Sequence, residues 1–161
     1  MHRVMQAVAH VRARVDPAEE ELAGRVLSDR AFALYRAMPV ADRRHALDVV
    51  DRLLASGHDD ADLLAAALLH DAAKGDRMRL WHRAGGVLLE ALAPRALRRL
   101  ASADPRSWRH PFHLYLHHGR LSADLAASAG CGPRVGAFII GRVDEADARL
   151  VAALKDADDA S

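Results

Sequence analysis

Residues 63–69 read Leu63-Leu64-Ala65-Ala66-Ala67-Leu68-Leu69, an unbroken apolar run made of strong helix formers. A helix that is apolar all round has no face to offer water and has to be buried. It therefore needs other elements packed about it, and the remainder of the chain supplies helices for that purpose. Aromatic residues are only 4% against 51% hydrophobic overall, so the core is assembled mainly from Leu, Val and Ala, and β-branched or aromatic runs suited to strands are scarce. No strand-length alternation, internal repeat or low-complexity linker interrupts this pattern. With 161 residues the chain suffices for one compact unit, and the expectation is an all-α domain of about six to eight helices.

Local signals set the helix limits. Asp16-Pro17-Ala18-Glu19 combines an N-cap acid, a proline at the first helical position and a glutamate three residues after the cap, which starts a helix running to about Ser28. Phe32, Leu34, Tyr35 and Met38 form a short apolar segment ended by Pro39. Asp42 is the expected cap of a second helix through Leu54, closed by Gly57, with an apolar stripe at Ala46, Val49, Val50, Leu53 and Leu54. Asp59 and Asp60 cap the apolar helix, which is expected from Ala61 to about Ala72. Further helices are expected near 78–92, 95–101, 112–128, 134–142 and 145–157, punctuated by Gly75, Pro94, Pro105, Pro111 and Gly130-Cys131-Gly132-Pro133. The acidic tail Asp156-Ala157-Asp158-Asp159 is expected to fray.

The charge balance excludes some functions. A net charge of +1 and a pI near 8.1 fall short of the basic footprint of a dedicated nucleic-acid binder. Arg79, Arg83, Arg95, Arg98 and Arg99, with few aromatics among them, read as solvated helix surface. Cys131 is the single cysteine, which permits neither an internal disulfide nor a multi-cysteine zinc site and suits a reducing compartment. No 18-residue apolar stretch occurs and no apolar run follows the first residues, so the expected location is cytoplasmic, with no membrane partner. No glycine-rich phosphate loop is present.

Ten histidines are the unusual feature of the composition. His58-Asp59 lies in the polar loop Ser56-Gly57-His58-Asp59-Asp60 and reads as a solvated turn carrying a helix cap. His70-Asp71 ends the buried helix, where both groups face a desolvation cost unless hydrogen-bonded or coordinated. His45 precedes Gly57 by about twelve residues and His70 follows the loop by about ten, so in an antiparallel hairpin both stand roughly 15–18 Å from the turn. Two neighbouring imidazoles and Asp71 then offer three ligands to Zn²⁺, Fe²⁺, Mn²⁺ or Co²⁺. The same placement also suits a core histidine hydrogen-bonded to backbone or carboxylate.

Asp42-Arg43-Arg44-His45-Ala46-Leu47 and Ala65-Ala66-Ala67-Leu68-Leu69-His70-Asp71-Ala72-Ala73-Lys74-Gly75 resemble the HD-domain superfamily of metal-dependent phosphohydrolases: its first histidine, its His-Asp pair and the lysine three residues on. The likeness continues more weakly through Leu80-Trp81-His82-Arg83, His110-Pro111-Phe112 and the Gly119-to-Ala123 stretch, to a final aspartate after Ala152-Ala153-Leu154. It implies an HD domain over residues 41–161, with residues 1–40 as an N-terminal helical segment packed on it. It also implies a last metal ligand from a C-terminal aspartate; Asp158 suits best, with Asp156 and Asp159 as alternatives. His118 matches the first extra histidine of two-metal members. The second would fall near Ile139-Ile140-Gly141-Arg142-Val143, where no histidine stands, which argues for a mononuclear site and against oxygen-activating di-iron chemistry.

The activity implied is hydrolysis of a phosphate ester, on a phosphorylated small molecule or a nucleotide, with one divalent ion (Mn, Fe, Zn, Co, Ni or Mg) activating water. His45, His70, Asp71 and Asp158 would hold the ion and Asp71 would also orient or deprotonate the water. Lys74, His118 and Arg120 would meet the substrate, although Lys74 at a helix end also suits a dipole partner. A non-catalytic metal- or ligand-binding regulatory domain is the competing reading. His113 and His117 form an i, i+4 pair, for which surface or supporting roles are expected, and His2, His10, His82 and His110 are given no chemical role.

Overall fold

The computed structural model describes residues 15–75 and 80–161; His2, His10, Arg79, residues 1–14 of the N-terminal segment and the first residues of the 78–92 helix lie outside the described residues, as does the Arg83 side chain. The described residues hold helices α1 (Pro17–Val26), α2 (Asp29–Arg36), α3 (Val40–Ala55), α4 (Ala61–Leu69), α5 (Leu80–Leu92), α6 (Pro94–Leu100), α7 (His110–Ser128), α8 (Pro133–Ile140) and α9 (Ala148–Ala160), and no strand. The fold is all-α, as expected. The described residues hold one helix more than the upper expectation because the Phe32-to-Met38 segment is itself helical, capped by the Ser28 hydroxyl, which accepts from the Ala31 N–H.

Several helices begin where the residue chemistry places them. At α1 the Ala18 N–H donates to Asp16 at 2.9 Å and the Asp16 N–H donates to Glu19 at 3.2 Å, a reciprocal capping box. At α4 the Asp60 carboxylate accepts from the Leu63 N–H at 3.0 Å. Gly57, at φ 81°, ends α3: its N–H donates to the Leu54 carbonyl and that of His58 to Leu53, which absorbs two of the last carbonyls.

Four expectations are corrected. Asp42 does not cap α3: Pro39 holds the cap position and Asp42 sits buried in the first turn, where the helix dipole favours its charge. Pro94 and Pro133 open α6 and α8, and Pro111 lies in the first turn of α7, where a missing N–H costs no helix bond. The apolar helix stops at Leu69 and not near Ala72. Beyond it, the Ala73 N–H, which a continuing helix would direct to Leu69, donates instead to the Ser122 Oγ of α7 at 3.0 Å. The acidic tail does not fray, since α9 continues to Ala160 with Leu154 and Ala157 buried on the core and the Ser161 hydroxyl donating to the Ala157 carbonyl.

Every residue from Leu63 to Leu69 is buried, and α4 is surrounded by α1, α2, α3, α7, α8 and α9. The α3–α4 hairpin and α9 form one end of this core. Arg134 at the start of α8 fastens the opposite end of α4, reaching Asp60 at 2.8 Å, Asp62 at 3.2 Å and Asp147 at 2.7 Å. Helices α5 and α6 lean on α7 and leave Leu88 and Leu92 exposed, and Arg95, Arg98 and Arg99 are solvated as expected. No helix among the described residues is long and apolar enough to cross a membrane.

Leu68, with no exposed surface, should lose roughly 2–5 kcal/mol of stability as Leu68→Ala in urea denaturation. Leu92→Ala, at 76% exposure, should leave the midpoint nearly unchanged.

Candidate metal centre

His45 lies in the first half of α3 and His70 directly after α4, so the antiparallel hairpin closed at Gly57 brings them side by side with ring centroids 5.3 Å apart. Helix α9 crosses this end of the hairpin and delivers Asp158. Its Oδ1 stands 2.8 Å from His45 Nε2 and 3.4 Å from His70 Nε2. One ligand atom from each of His45, His70 and Asp158 lies within 4.8 Å of both others, a spacing that can hold a metal ion. Of the three tail aspartates Asp158 is the one brought to the histidines; Asp156 and Asp159 are exposed.

The His70 ring is held from behind. Its Nδ1–H donates to the Ala67 carbonyl at 2.8 Å, which leaves Nε2 as the free coordinating nitrogen of the neutral ring, facing the two carboxylates. That Nε2 is buried and makes no hydrogen bond, since Asp158 at 3.4 Å and Asp71 at 3.6 Å are charge contacts without hydrogen-bond geometry. An uncommitted nitrogen between two carboxylates suits a cation. The donor set, two imidazoles and carboxylate oxygen, fits the borderline divalent metals.

Asp71 stands one step out from this triad. Its side chain is 1% exposed, Oδ2 is held by Lys74 Nζ at 2.5 Å, and Oδ1 is buried with no hydrogen-bond partner. Half-buried His118 faces the same group electrostatically, and its Nδ1–H donates to the Tyr115 carbonyl at 3.0 Å. Lys74, Asp71 and His118 therefore come together beside His70. Arg120 does not join them: it lies two residues on, about 200° further round α7, is exposed, and makes no ion pair among the described residues.

The electrostatics follow from this crowding. Burial opposes the imidazolium form of His70, but the charges of Asp71 and then Asp158 outweigh it and hold its pKa up at about 9. Burial likewise opposes the Asp71 carboxylate, yet His70 and Lys74 bring it down to about 2. Asp158 falls well below the usual carboxylate range against its own burial, through contacts with His45 and His70. For His118, burial and then the Lys74 charge lower the pKa.

Two participants carried no signal strong enough to single out from sequence. The Ala67 carbonyl is backbone, and its role depends on the chain turning after Leu69. Ser122 is fully buried on α7 and anchors the turn that bears His70 and Asp71. Two further histidines are occupied elsewhere: His82 is buried edge-on to Phe112, and His110 donates to the Ser102 carbonyl.

Compared with known proteins, the chain matches no family model, no curated protein and no solved structure.

The raised pKa of His70 has a measurable consequence for stability. Because it lies above the ordinary 6.5, the imidazolium contacts stabilise the metal-free fold fully below about pH 6.5 and are lost as pH rises through about 9. The depressed Asp158 contributes above its ordinary 3.8 and is lost only in strong acid. The urea midpoint of metal-free protein should therefore fall between pH 6.5 and 9. His70→Gln should start lower and remain flat across that window; an equal slope in the variant would show that another group titrates.

Proposed function

We propose that this chain is a metal-dependent phosphohydrolase of the HD type, hydrolysing a phosphate ester of a small molecule or nucleotide with one divalent ion. The observation that carries the reading is the convergence of His45, His70 and Asp158 within 4.8 Å, next to a buried, partnerless carboxylate oxygen on Asp71. Neither the resemblance at His45 nor the His70-to-Lys74 stretch depends on this convergence, so the two support the proposal independently.

When bound, a divalent ion supplies Lewis acidity and a water that ionises near neutral pH. His45 Nε2, His70 Nε2 and Asp158 Oδ1 are the atoms that would hold it, with His70 fixed in the required tautomer by Ala67. Asp71 Oδ1 is a buried acceptor with no hydrogen-bond partner, on the residue next to His70. A carboxylate held near 2 is a weak base, so its role is to ligate or to orient water and not to remove a proton at neutral pH. Lys74 spends one N–H on Asp71 and retains others for an anionic substrate. His118, its Nδ1–H spent on the Tyr115 carbonyl, would present Nε2 in the neutral ring as an acceptor for a water or a protonated substrate oxygen beside Lys74.

One feature favours the second reading, a non-catalytic metal- or ligand-binding domain. With Arg120 outside the cluster and Lys74 already paired, the site offers a phosphate little uncommitted positive charge. A cytoplasmic setting belongs to the first reading, whose substrates are phosphorylated metabolites.

The test combines elemental analysis of desalted protein with hydrolysis of bis(p-nitrophenyl) phosphate and a nucleotide panel. The wild type should carry about one ion per chain more than His70→Ala and Asp158→Ala, which should lose activity with it. Lys74→Gln should retain the ion while turnover falls by roughly 10²-fold or more. Metal without turnover would select the binding domain, and a wild type that takes up no metal would overturn the hydrolase and the metal-binding form of the domain alike.

A further inference from the structure

Helix α7 carries a second group of imidazoles on a different face from His118. His110, His113 and His117 follow one another at i, i+3 and i+7, a single stripe along the helix. The His113 and His117 rings have centroids 4.6 Å apart, and His110 stacks on His113 at 5.7 Å. His118 is adjacent in sequence to His117 but about 100° round the helix, turned to Asp71 and Lys74.

We propose that His113 and His117 form a second, surface chelate for a borderline transition-metal ion such as Ni²⁺, Zn²⁺ or Cu²⁺. Two nitrogens bound to one ion at about 2.0–2.1 Å can be at most about 4.2 Å apart, a separation that rings one turn apart reach by small side-chain rotations. Among the described residues neither ring makes a hydrogen bond, so their nitrogens are uncommitted, in contrast to the oriented rings of His70, His110 and His118. The backbone between them is well fixed. Leu114 is buried, and the Tyr115 hydroxyl donates to Glu90 at 2.7 Å while its ring packs so closely on α5 that a Cβ at Gly86 would come within 2.7 Å.

A chelate built on a rigid turn loses less conformational freedom on binding than one on a mobile loop. His110 stands outside it, since it is two turns from His117 and its Nδ1–H is directed to the Ser102 carbonyl at 3.1 Å. The donors are nitrogen alone, which selects borderline transition metals over Mg²⁺ or Ca²⁺, and water completes the coordination on the exposed side. The pair shares no residue with the triad of His45, His70 and Asp158.

Equilibrium dialysis against Ni²⁺, read by elemental analysis, tests the proposal on wild type and the His113→Ala/His117→Ala double variant. The wild type should take up one more Ni²⁺ per chain than the variant, whatever the occupancy of the other centre, because only the difference is read. His117→Ala alone alters an exposed side chain and should weaken that extra equivalent by roughly tenfold or more, since one imidazole cannot chelate. In ¹⁵N spectra of the wild type, Zn²⁺ should shift the ring nitrogens of both His113 and His117. Equal Ni²⁺ uptake by the wild type and both variants would overturn the proposal.

Discussion

A carboxylate with 1% of its surface exposed, at the end of a helix buried on every side, is a large electrostatic liability unless opposite charge is brought to it. Asp71 is that group, and much of the surrounding structure compensates it. Lys74 reaches back three residues to one oxygen, His70 leans its Nε2 towards the same oxygen, and His118 approaches from α7. The other oxygen is left with no hydrogen bond. Leaving a buried charged oxygen unsatisfied costs on the order of 1–3 kcal/mol or more, so its persistence beside two histidines and a second carboxylate reads as a site and not as packing.

The fold brings these residues together through two unrelated devices. One is the α3–α4 hairpin, in which the Gly57 turn and nearly equal arm lengths set His45 against His70. The other is α9, which has no sequence proximity to the hairpin and must pack across it before Asp158 can reach either ring. The contact of Asp158 with His45 at 2.8 Å and that of Arg52 with Ser161 at 3.0 Å both join α9 to α3, so the tail and the centre stabilise one another. Ser122 adds a third constraint by drawing the turn after Leu69 onto α7.

The legible parts of this arrangement were those written in local chemistry. The capping box at Asp16, the Asp60 cap, the Gly57 stop and the buried α4 are all set by residues within a few positions of one another, and the structure forms each as the sequence indicates. The approach of His45 to His70 was also accessible, because a helical hairpin converts residue counts into distance. What could not be read depended on tertiary packing. The end of α4 at Leu69 is decided by a serine nearly fifty residues away. The helical tail reflects burial of Leu154 and Ala157 together with the pairing of Asp158, which overcome the repulsion expected among its acids. Arg120 was grouped with Lys74 by chemistry alone, and helical periodicity carries it away from the cluster.

His45, His70 and Asp158 are the proposed ligands of a divalent metal ion. Anomalous diffraction from crystals of the full chain grown with Mn²⁺, and separately with Zn²⁺, tests this assignment most directly. A peak is expected between the two Nε2 atoms and the Asp158 carboxylate, at about 2.0–2.2 Å from each ligand atom for Zn²⁺. Well-ordered density for all three side chains with no anomalous peak between them, in either metal, would contradict it.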